Sequence, residues 1–187
     1  MIVCGLMMDI MLIVLFYNFA FKGTTWRFPL ALLMNNLLRM FLLNMFLMKY
    51  PEGYLWEFPG MYSITVPYGK TNDFFYSGHV STAVISMMEY KATKQYYMAS
   101  FSFVTMIMQV VLMVFLRGHY MIDLLSGLIF GHYFFIMAER VSYLVDVKLL
   151  GIPFFKRFPN FNTHCGGCKK SLPHYVPDHA EETALLH

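Results

Sequence analysis

Two histidines of this chain each follow a glycine at the point where a polar stretch meets an apolar run. The two motifs are Ser77-Gly78-His79 and Arg117-Gly118-His119-Tyr120. Asp123 lies four residues beyond His119, so on a helix the two side chains share one face. A carboxylate bonded to one ring nitrogen fixes the tautomer of an imidazole and stabilises the charge that forms when the other nitrogen attacks. The second motif therefore predicts a nucleophilic histidine with its own orienting carboxylate.

The separately placed His79 completes a pattern suited to chemistry at phosphorus. An imidazole can attack phosphorus as a nucleophile, or exchange a proton near neutral pH. We predict that His119 is the nucleophile, that Asp123 orients it, and that His79 is the acid–base for the oxygen that leaves or enters. Gly78 and Gly118 would let the backbone approach a phosphate closely. A pair of structural histidines inside a helical bundle is the alternative.

Composition places these motifs in a membrane. Of the 187 residues, 58% are hydrophobic and 13% are charged, and the charged share is about half that of a typical soluble domain. A soluble domain could not bury so much apolar surface, so we predict an integral membrane protein. The net charge of +3 is too small and too scattered for a nucleic-acid partner. Three cysteines do not make a disulfide framework.

Apolar runs predict an all-α fold, a polytopic transmembrane bundle of about five spans. The expected spans are 2–21, 29–48, 80–90, 96–116 and 120–137. The third run is too short by itself and needs residues 74–76 at one end to cross a bilayer. We predict a transmembrane domain over residues 1–155 and a polar C-terminal tail over residues 156–187.

Loop order predicts that both histidines lie on one membrane face. The links at 22–28 and 91–95 share a face with the tail and collect most of the cations. The positive-inside rule puts that face in the cytosol, or in the matrix for a mitochondrial protein. The loop at 49–76 and the turn at 117–119 then share the opposite face, which carries the predicted site. An endomembrane such as the ER or Golgi is favoured, with the mitochondrial inner membrane as the alternative.

Two charges inside predicted spans also need an explanation. Asp9 and Arg39 fall at similar depths of antiparallel spans, so we predict a buried ion pair between them. The alternative is that Arg39 reaches the interface or another subunit. The aromatic, proline-rich loop at 49–76 leads into the first motif, so it could form a substrate vestibule or a packed interfacial connector.

The two motifs resemble the signatures of the lipid phosphatase (PAP2) superfamily. The closer similarity is to its sphingomyelin synthase branch and to phosphatidylcholine:diacylglycerol cholinephosphotransferases. In that branch Phe-x-Ser-Gly-His-Val and Arg-Gly-His-Tyr-x-Ile-Asp-Leu recur almost as they stand in this chain, and the resemblance covers roughly residues 49–133. It implies a PAP2-like helical core, a His/His/Asp triad and transfer of a phosphocholine-type head group through a phosphohistidine, with no metal or other cofactor.

The resemblance also implies a set of substrate-binding residues. Asp73 is similar to the acidic residue that precedes Ser-Gly-His in the sphingomyelin synthases. The candidates are Asp73, Ser77, Gly78, Arg117, Gly118 and Tyr120. The expected partners are a membrane phospholipid donor and a diacylglycerol-like acceptor.

Some positions depart from the family pattern. Met113 and Leu112 stand where the phosphatases have an arginine and a serine, and the lysine-rich first phosphatase motif is absent. These departures favour transfer over hydrolysis. Met121 replaces a small hydroxyl residue of the branch, which usually has six spans rather than five.

Alternative functions and the tail stay open at this point. The chain could instead be a non-catalytic PAP2-like membrane subunit of a larger complex, binding lipid or other subunits, or a lipid phosphate phosphatase. In the tail, Cys165 and Cys168 form a single C-x-x-C near His174. These residues could bind zinc with one further ligand, or the cysteines could be reduced free thiols.

Overall fold

The computed structural model describes residues 2–23, 25–46, 63–65, 75–116 and 119–151. Within these ranges the chain forms five α-helices and no strand, so the predicted all-α fold is confirmed. The helices are α1 (Ile2–Lys22), α2 (Arg27–Met45), α3 (Gly78–Ala92), α4 (Tyr96–Phe115) and α5 (Met121–Tyr143). A π-helical segment, Leu144–Leu149, continues α5.

Four of the five helices are long and apolar enough to cross a membrane, which makes the chain an integral membrane protein. They are α1, α2, α4, and α5 together with its π-helical continuation. The predicted third span is different. The helix α3 has 15 residues, about 22 Å of rise against a hydrocarbon core of about 30 Å. Phe75 and Tyr76, which were expected to lengthen it, lie in a bend before its first residue.

The short helix α3 lies at the centre of the bundle. It packs against all four other helices, and most of its residues are buried. The hydroxyls of two of its serines form hydrogen bonds within the helix. Ser81 donates to the carbonyl of Gly78 at 3.0 Å, and Ser86 donates to that of Thr82 at 2.8 Å. A helix enclosed by protein does not need a lipid-soluble surface, which explains why its sequence is the least hydrophobic of the expected spans.

A buried ion pair joins α2, α3 and α5 at the end of the bundle away from the histidine motifs. Arg27 donates to both carboxylate oxygens of Glu89, at 2.8 and 3.1 Å. Its guanidinium also lies 3.5 Å from Glu139 and 5.0 Å from the centre of the Phe135 ring. Arg27, one of the cations of the 22–28 link, is therefore held inside the protein.

Close contact between α5 and α3 sets the position of the site. A Cβ on Gly127 would lie 2.7 Å from the carbonyl oxygen of Ser77, and a Cβ on Gly131 would lie 2.9 Å from that of Ser81. Two glycines one turn apart allow helix backbones to touch in this way. The start of α5 consequently lies directly against the start of α3.

Candidate active site

The first motif forms the beginning of α3. Ser77 is the N-cap, and its hydroxyl accepts a 3.5 Å hydrogen bond from the backbone N–H of Val80. The N–H of Ser77 donates in turn to the carbonyl oxygen of Asp123 at 3.1 Å. His79 is the second residue of the helix. Its position is thus set both by the cap and by a backbone contact with the second motif.

The second motif is built around the buried carboxylate of Asp123. One oxygen, Oδ2, accepts from the Tyr120 N–H at 2.9 Å and lies 3.1 Å from Nδ1 of His119. A carboxylate without a proton can only accept, so Nδ1 of His119 carries the hydrogen. We infer from this contact that the neutral ring has its lone pair on Nε2, the form that can attack an electrophile.

The other oxygen of Asp123 holds the first motif. Oδ1 accepts from the backbone N–H of Phe75 at 2.9 Å, and the hydroxyl of Ser126 donates to the Phe75 carbonyl at 2.7 Å. Phe75 has a φ of 85°, a left-handed conformation that costs a non-glycine residue about 1–3 kcal/mol. Its ring stacks on Phe46 with centroids 4.4 Å apart. The contacts with α5 and Phe46 maintain a conformation that Phe75 would not adopt alone.

The ring of His79 faces a segment of the long loop. Its Nε2 lies 2.9 Å from the carbonyl oxygen of Thr65. Because a carbonyl can only accept, Nε2 carries the hydrogen and the neutral ring has its lone pair on Nδ1. Nδ1 is buried and has no hydrogen-bond partner among the residues that the structure describes. This nitrogen is therefore the one that can take up a proton.

The loop segment itself is anchored by Asp9 of α1. The Asp9 carboxylate accepts from the hydroxyls of Ser63 and Thr65, both at 3.1 Å, and from the Ile64 N–H at 3.3 Å. The predicted ion pair between Asp9 and Arg39 is therefore wrong. Three donors from a non-helical segment satisfy the carboxylate, and the sequence could not show that this segment reaches α1.

Arg39 lies at the first turn of α3. A Cβ on Gly78 would come within 2.9 Å of its Nη1 and 3.0 Å of its Cζ, so the guanidinium rests on the glycine. Its positive charge acts on His79, the second residue of the same helix. A helix N-terminus carries partial positive charge, and the guanidinium adds a full charge beside it. This part of the site is suited to an anion such as a phosphate.

The phenol of Tyr76 completes the contact between the first motif and α2. Its hydroxyl donates to Oδ1 of the buried Asn35, four residues before Arg39 on the same helix. The face of α2 that carries Asn35 and Arg39 is thus turned toward the start of α3.

The structure accounts for several of the residues expected at the site. Ser77, Gly78, His79, His119, Tyr120 and Asp123 all lie at the adjoining starts of α3 and α5. Other candidates lie outside the described residues, namely Asp73, Arg117, Gly118, Cys165, Cys168 and His174, as does the expected domain boundary at residue 155. Ser77 acts as a helix cap, and Gly78 accommodates a guanidinium, a role that the motif alone did not indicate.

Sequence reasoning missed three contacts of the site. It did not identify the contacts of His79 with Thr65, of Phe75 with Ser126, or of Gly78 with the guanidinium of Arg39. The presence of Asp9 and Arg39 inside apolar runs did indicate that both residues have a structural or functional role. Their partners could not be read from it, because depth in a span does not specify which way a helix face points.

Comparison with known proteins gives one match. The family model described as AtPDCT1/2 matches residues 21–140, nearly two thirds of the chain. The matched stretch contains α2, α3, α4, both histidine motifs and most of α5, whereas Asp9 lies outside it. No curated protein and no solved structure matches the chain.

Proposed function

The chain belongs to the AtPDCT1/2 family, which is phosphatidylcholine:diacylglycerol cholinephosphotransferase-like, and on that premise we propose that it transfers a phosphocholine-type head group between membrane lipids. The donor would be a membrane phospholipid and the acceptor a diacylglycerol-like lipid. The observation that carries the proposal is the 3.1 Å contact between Nδ1 of His119 and Asp123, next to a second imidazole with a bare Nδ1.

In the first half of the reaction, Nε2 of His119 attacks the phosphorus of the donor. Before this step Nδ1 of His79, bare in the resting ring, takes up a proton from water. The bond between phosphorus and the diacylglycerol oxygen then breaks, and that oxygen leaves as diacylglycerol by taking this proton from Nδ1. The head group is then held on His119 as a phosphohistidine. The Asp123 carboxylate stabilises the positive charge that forms on the ring during attack.

In the second half, the hydroxyl of the acceptor attacks the same phosphorus. Nδ1 of His79 takes the hydroxyl proton, the nitrogen–phosphorus bond breaks, and His119 returns to its starting form. The proton that His79 gave up in the first half is thereby recovered. The net result is exchange of a head group between two lipid backbones with no change in oxidation state.

Arg39 supplies the positive charge that phosphoryl transfer needs. The arginine that accompanies the second histidine in the phosphatases is replaced by Met113, which packs against the apolar core. The guanidinium of Arg39 reaches the start of α3 from another helix. It would bind the non-bridging phosphate oxygens, where preorganised donors stabilise developing charge most effectively.

The expected location follows from the same proposal. We place the protein in an endomembrane, with the site on the face opposite the cytosol. In this orientation the starts of α3 and α5, which adjoin through the bond between Ser77 and Asp123, would lie toward that face. A protease-protection assay on tags placed in the loop at 49–62 and in the C-terminal tail would test this orientation.

A lipid-exchange assay on purified protein tests the function. The donor is phosphatidylcholine labelled in its head group, and the acceptor is a diacylglycerol with distinguishable acyl chains. We expect His119→Ala to abolish transfer and His132→Ala, an exposed histidine of α5, to leave the rate unchanged. Transfer that survives His119→Ala would refute the assignment of the nucleophile.

The same preparation tests the alternatives. Release of free phosphate from phosphatidate would identify a phosphatase. A wild-type protein without exchange activity that co-purifies stoichiometrically with other membrane proteins would identify a non-catalytic subunit.

A further inference from the structure

Burying the carboxylate of Asp9 inside α1 has a high free-energy cost. It is the eighth residue of α1, about 10 Å along the helix from its first residue, and it is buried. A carboxylate at such depth in a membrane bundle requires partners, and an ionisable residue there commonly serves function. The catalytic steps described above do not use it.

Within the described residues, the hydrogen bonds that Asp9 accepts all come from three consecutive residues. Ser63, Ile64 and Thr65 provide a hydroxyl, a backbone N–H and a second hydroxyl. Ser63 further accepts from the Thr65 N–H at 3.2 Å. One carboxylate thus fixes both ends and the middle of this short segment, which we call the Asp9-bound segment (63–65).

The Asp9-bound segment contacts α1 at its eighth residue, about 10 Å along the helix from its first residue. Non-helical backbone at membrane depth occurs where it is buried in protein or lines a cavity. Here Ser63 and Thr65 are partly buried, and the carbonyl oxygen of Thr65 points at His79. The segment is therefore part of the wall of the candidate active site.

The contact with Thr65 determines the chemical form of His79. Nε2 is 2.9 Å from the Thr65 carbonyl oxygen, which can accept but not donate. As long as the carbonyl stays there, Nε2 holds its hydrogen and the lone pair stays on the buried Nδ1. If the carbonyl moved, the ring could rotate or adopt the other tautomer, and Nδ1 would no longer be the proton-exchanging nitrogen.

We propose that Asp9 is a positioning residue for His79 and acts through the Asp9-bound segment. The inference rests on the proposed transferase function for its effect on turnover, but not for its effect on the ring of His79. The two histidines are oriented by different routes. Asp123 contacts His119 directly, whereas Asp9 acts on His79 through the backbone carbonyl of a segment that it holds in place.

Two readouts on Asp9→Asn test the proposal in the full chain reconstituted in lipid nanodiscs. The first is the rate of head-group transfer, where we expect kcat to fall by about 100-fold, as small misplacements of catalytic groups produce. We expect KM for the donor to stay within about twofold, since Asp9 contacts none of the described residues that would bind phosphate. The second readout is nitrogen-15 NMR of labelled histidine.

The NMR readout does not depend on activity. The signals of His79 are assigned by their loss in His79→Gln. In the wild type we expect the neutral ring of His79 to have a hydrogen on Nε2 and none on Nδ1. In Asp9→Asn we expect the two nitrogen signals to move toward each other as both tautomers become populated. A role of Asp9 confined to stability would leave these signals unchanged in the folded protein.

A matched control exists at the other end of the bundle. Asp146 is also buried and also accepts from a hydroxyl and a backbone N–H, those of Thr25 at 2.8 Å and Trp26 at 3.0 Å. We expect Asp146→Asn to leave kcat and the His79 signals unchanged. Equal losses in both variants would overturn the proposal in favour of a general packing effect.

A milder variant covers the case in which Asp9→Asn does not fold. Thr65→Val keeps the shape and the carbonyl of residue 65 but removes its hydroxyl bond to Asp9, so we expect a smaller change in the same direction. Unchanged His79 signals in this variant would then overturn the proposal. If the wild type proves inactive but the tautomer of His79 still depends on Asp9, the transferase function fails and the positioning role stands.

Discussion

The backbone N–H of Phe75 donates to Oδ1 of Asp123 at 2.9 Å, and this bond joins the first histidine motif to the second. The same carboxylate lies 3.1 Å from His119 through its other oxygen. Asp123 thus orients one histidine and also holds the chain just before the other. This buried side chain is therefore one of the contacts that set the relative position of the two imidazoles.

This double role predicts an unusual result for Asp123→Asn. An amide can present its NH₂ to His119 and favour the wrong tautomer, so we expect head-group transfer to fall by about 10⁴-fold. The bonds to the N–H groups of Phe75 and Tyr120 also lose their charge, and charge-assisted bonds contribute about 1.5–3 kcal/mol each. We therefore expect a lower thermal midpoint as well.

The comparison with His119→Ala separates these two effects. That variant removes the nucleophile but leaves both backbone N–H groups bonded to the carboxylate. We expect it to be as inactive as Asp123→Asn but more stable, when both are measured by thermal unfolding in the same detergent. Equal thermal midpoints would mean that the bond to Phe75 contributes little.

The second prediction concerns the charge of Arg39. If the guanidinium binds phosphate oxygens, Arg39→Met should lower kcat/KM by about 10²–10³-fold, the loss seen when a preorganised donor is removed from an active site. Arg39→Lys should recover part of this loss, since it keeps the charge but not the planar fork of donors. Arg140→Met, which removes an exposed cation near the end of α5, should leave the rate unchanged. A full rate for Arg39→Met would exclude the phosphate role.

The third prediction uses two glycines with different surroundings. A Cβ on Gly78 meets the mobile end of Arg39, whereas a Cβ on Gly131 meets the backbone of Ser81 at 2.9–3.0 Å. We expect Gly78→Ala to reduce transfer with little effect on the thermal midpoint, because the guanidinium can move. Gly131→Ala should instead lower the midpoint, since overpacking against backbone costs about 1–3 kcal/mol.

A double variant checks the cause of the Gly78 effect. In an Arg39→Met background, Gly78→Ala should cause no further loss of activity, because the displaced group is already absent. Additive losses would show that the alanine acts by another route.

The fourth prediction concerns stability at the end of the bundle that holds Arg27. Arg27→Met leaves the buried Glu89 unpaired, which should destabilise the fold by about 3–5 kcal/mol. The double variant Arg27→Met/Glu89→Leu should recover most of this loss, because both buried charges are then absent. Glu89 lies ten residues after His79 on α3, about 15 Å along its axis, so transfer per folded molecule should not change. Chemical denaturation in mixed micelles measures the free energy of unfolding of each variant. Failure of the double variant to recover stability would contradict this account.

Local spacing in the sequence was enough to predict much of the site. The four-residue step from His119 to Asp123 places both side chains on one helical face in any fold that contains the helix. The order of apolar runs likewise predicted an all-α membrane bundle, and the structure confirms that architecture. It also predicted that the two motifs lie at the same end, and their backbones do meet there, where Ser77 bonds Asp123.

Contacts between elements were decided only by the tertiary structure. The sequence showed that Asp9 and Arg39 lie inside apolar runs, but not that Asp9 bonds the Asp9-bound segment or that the guanidinium of Arg39 lies against Gly78. The run 80–90 was too short to be a convincing transmembrane span, and the sequence did not show that four other helices enclose α3. Helical periodicity determines neighbours within one helix. The rotation and depth of one helix against another depend on packing across the whole bundle, and no single stretch of sequence contains that information.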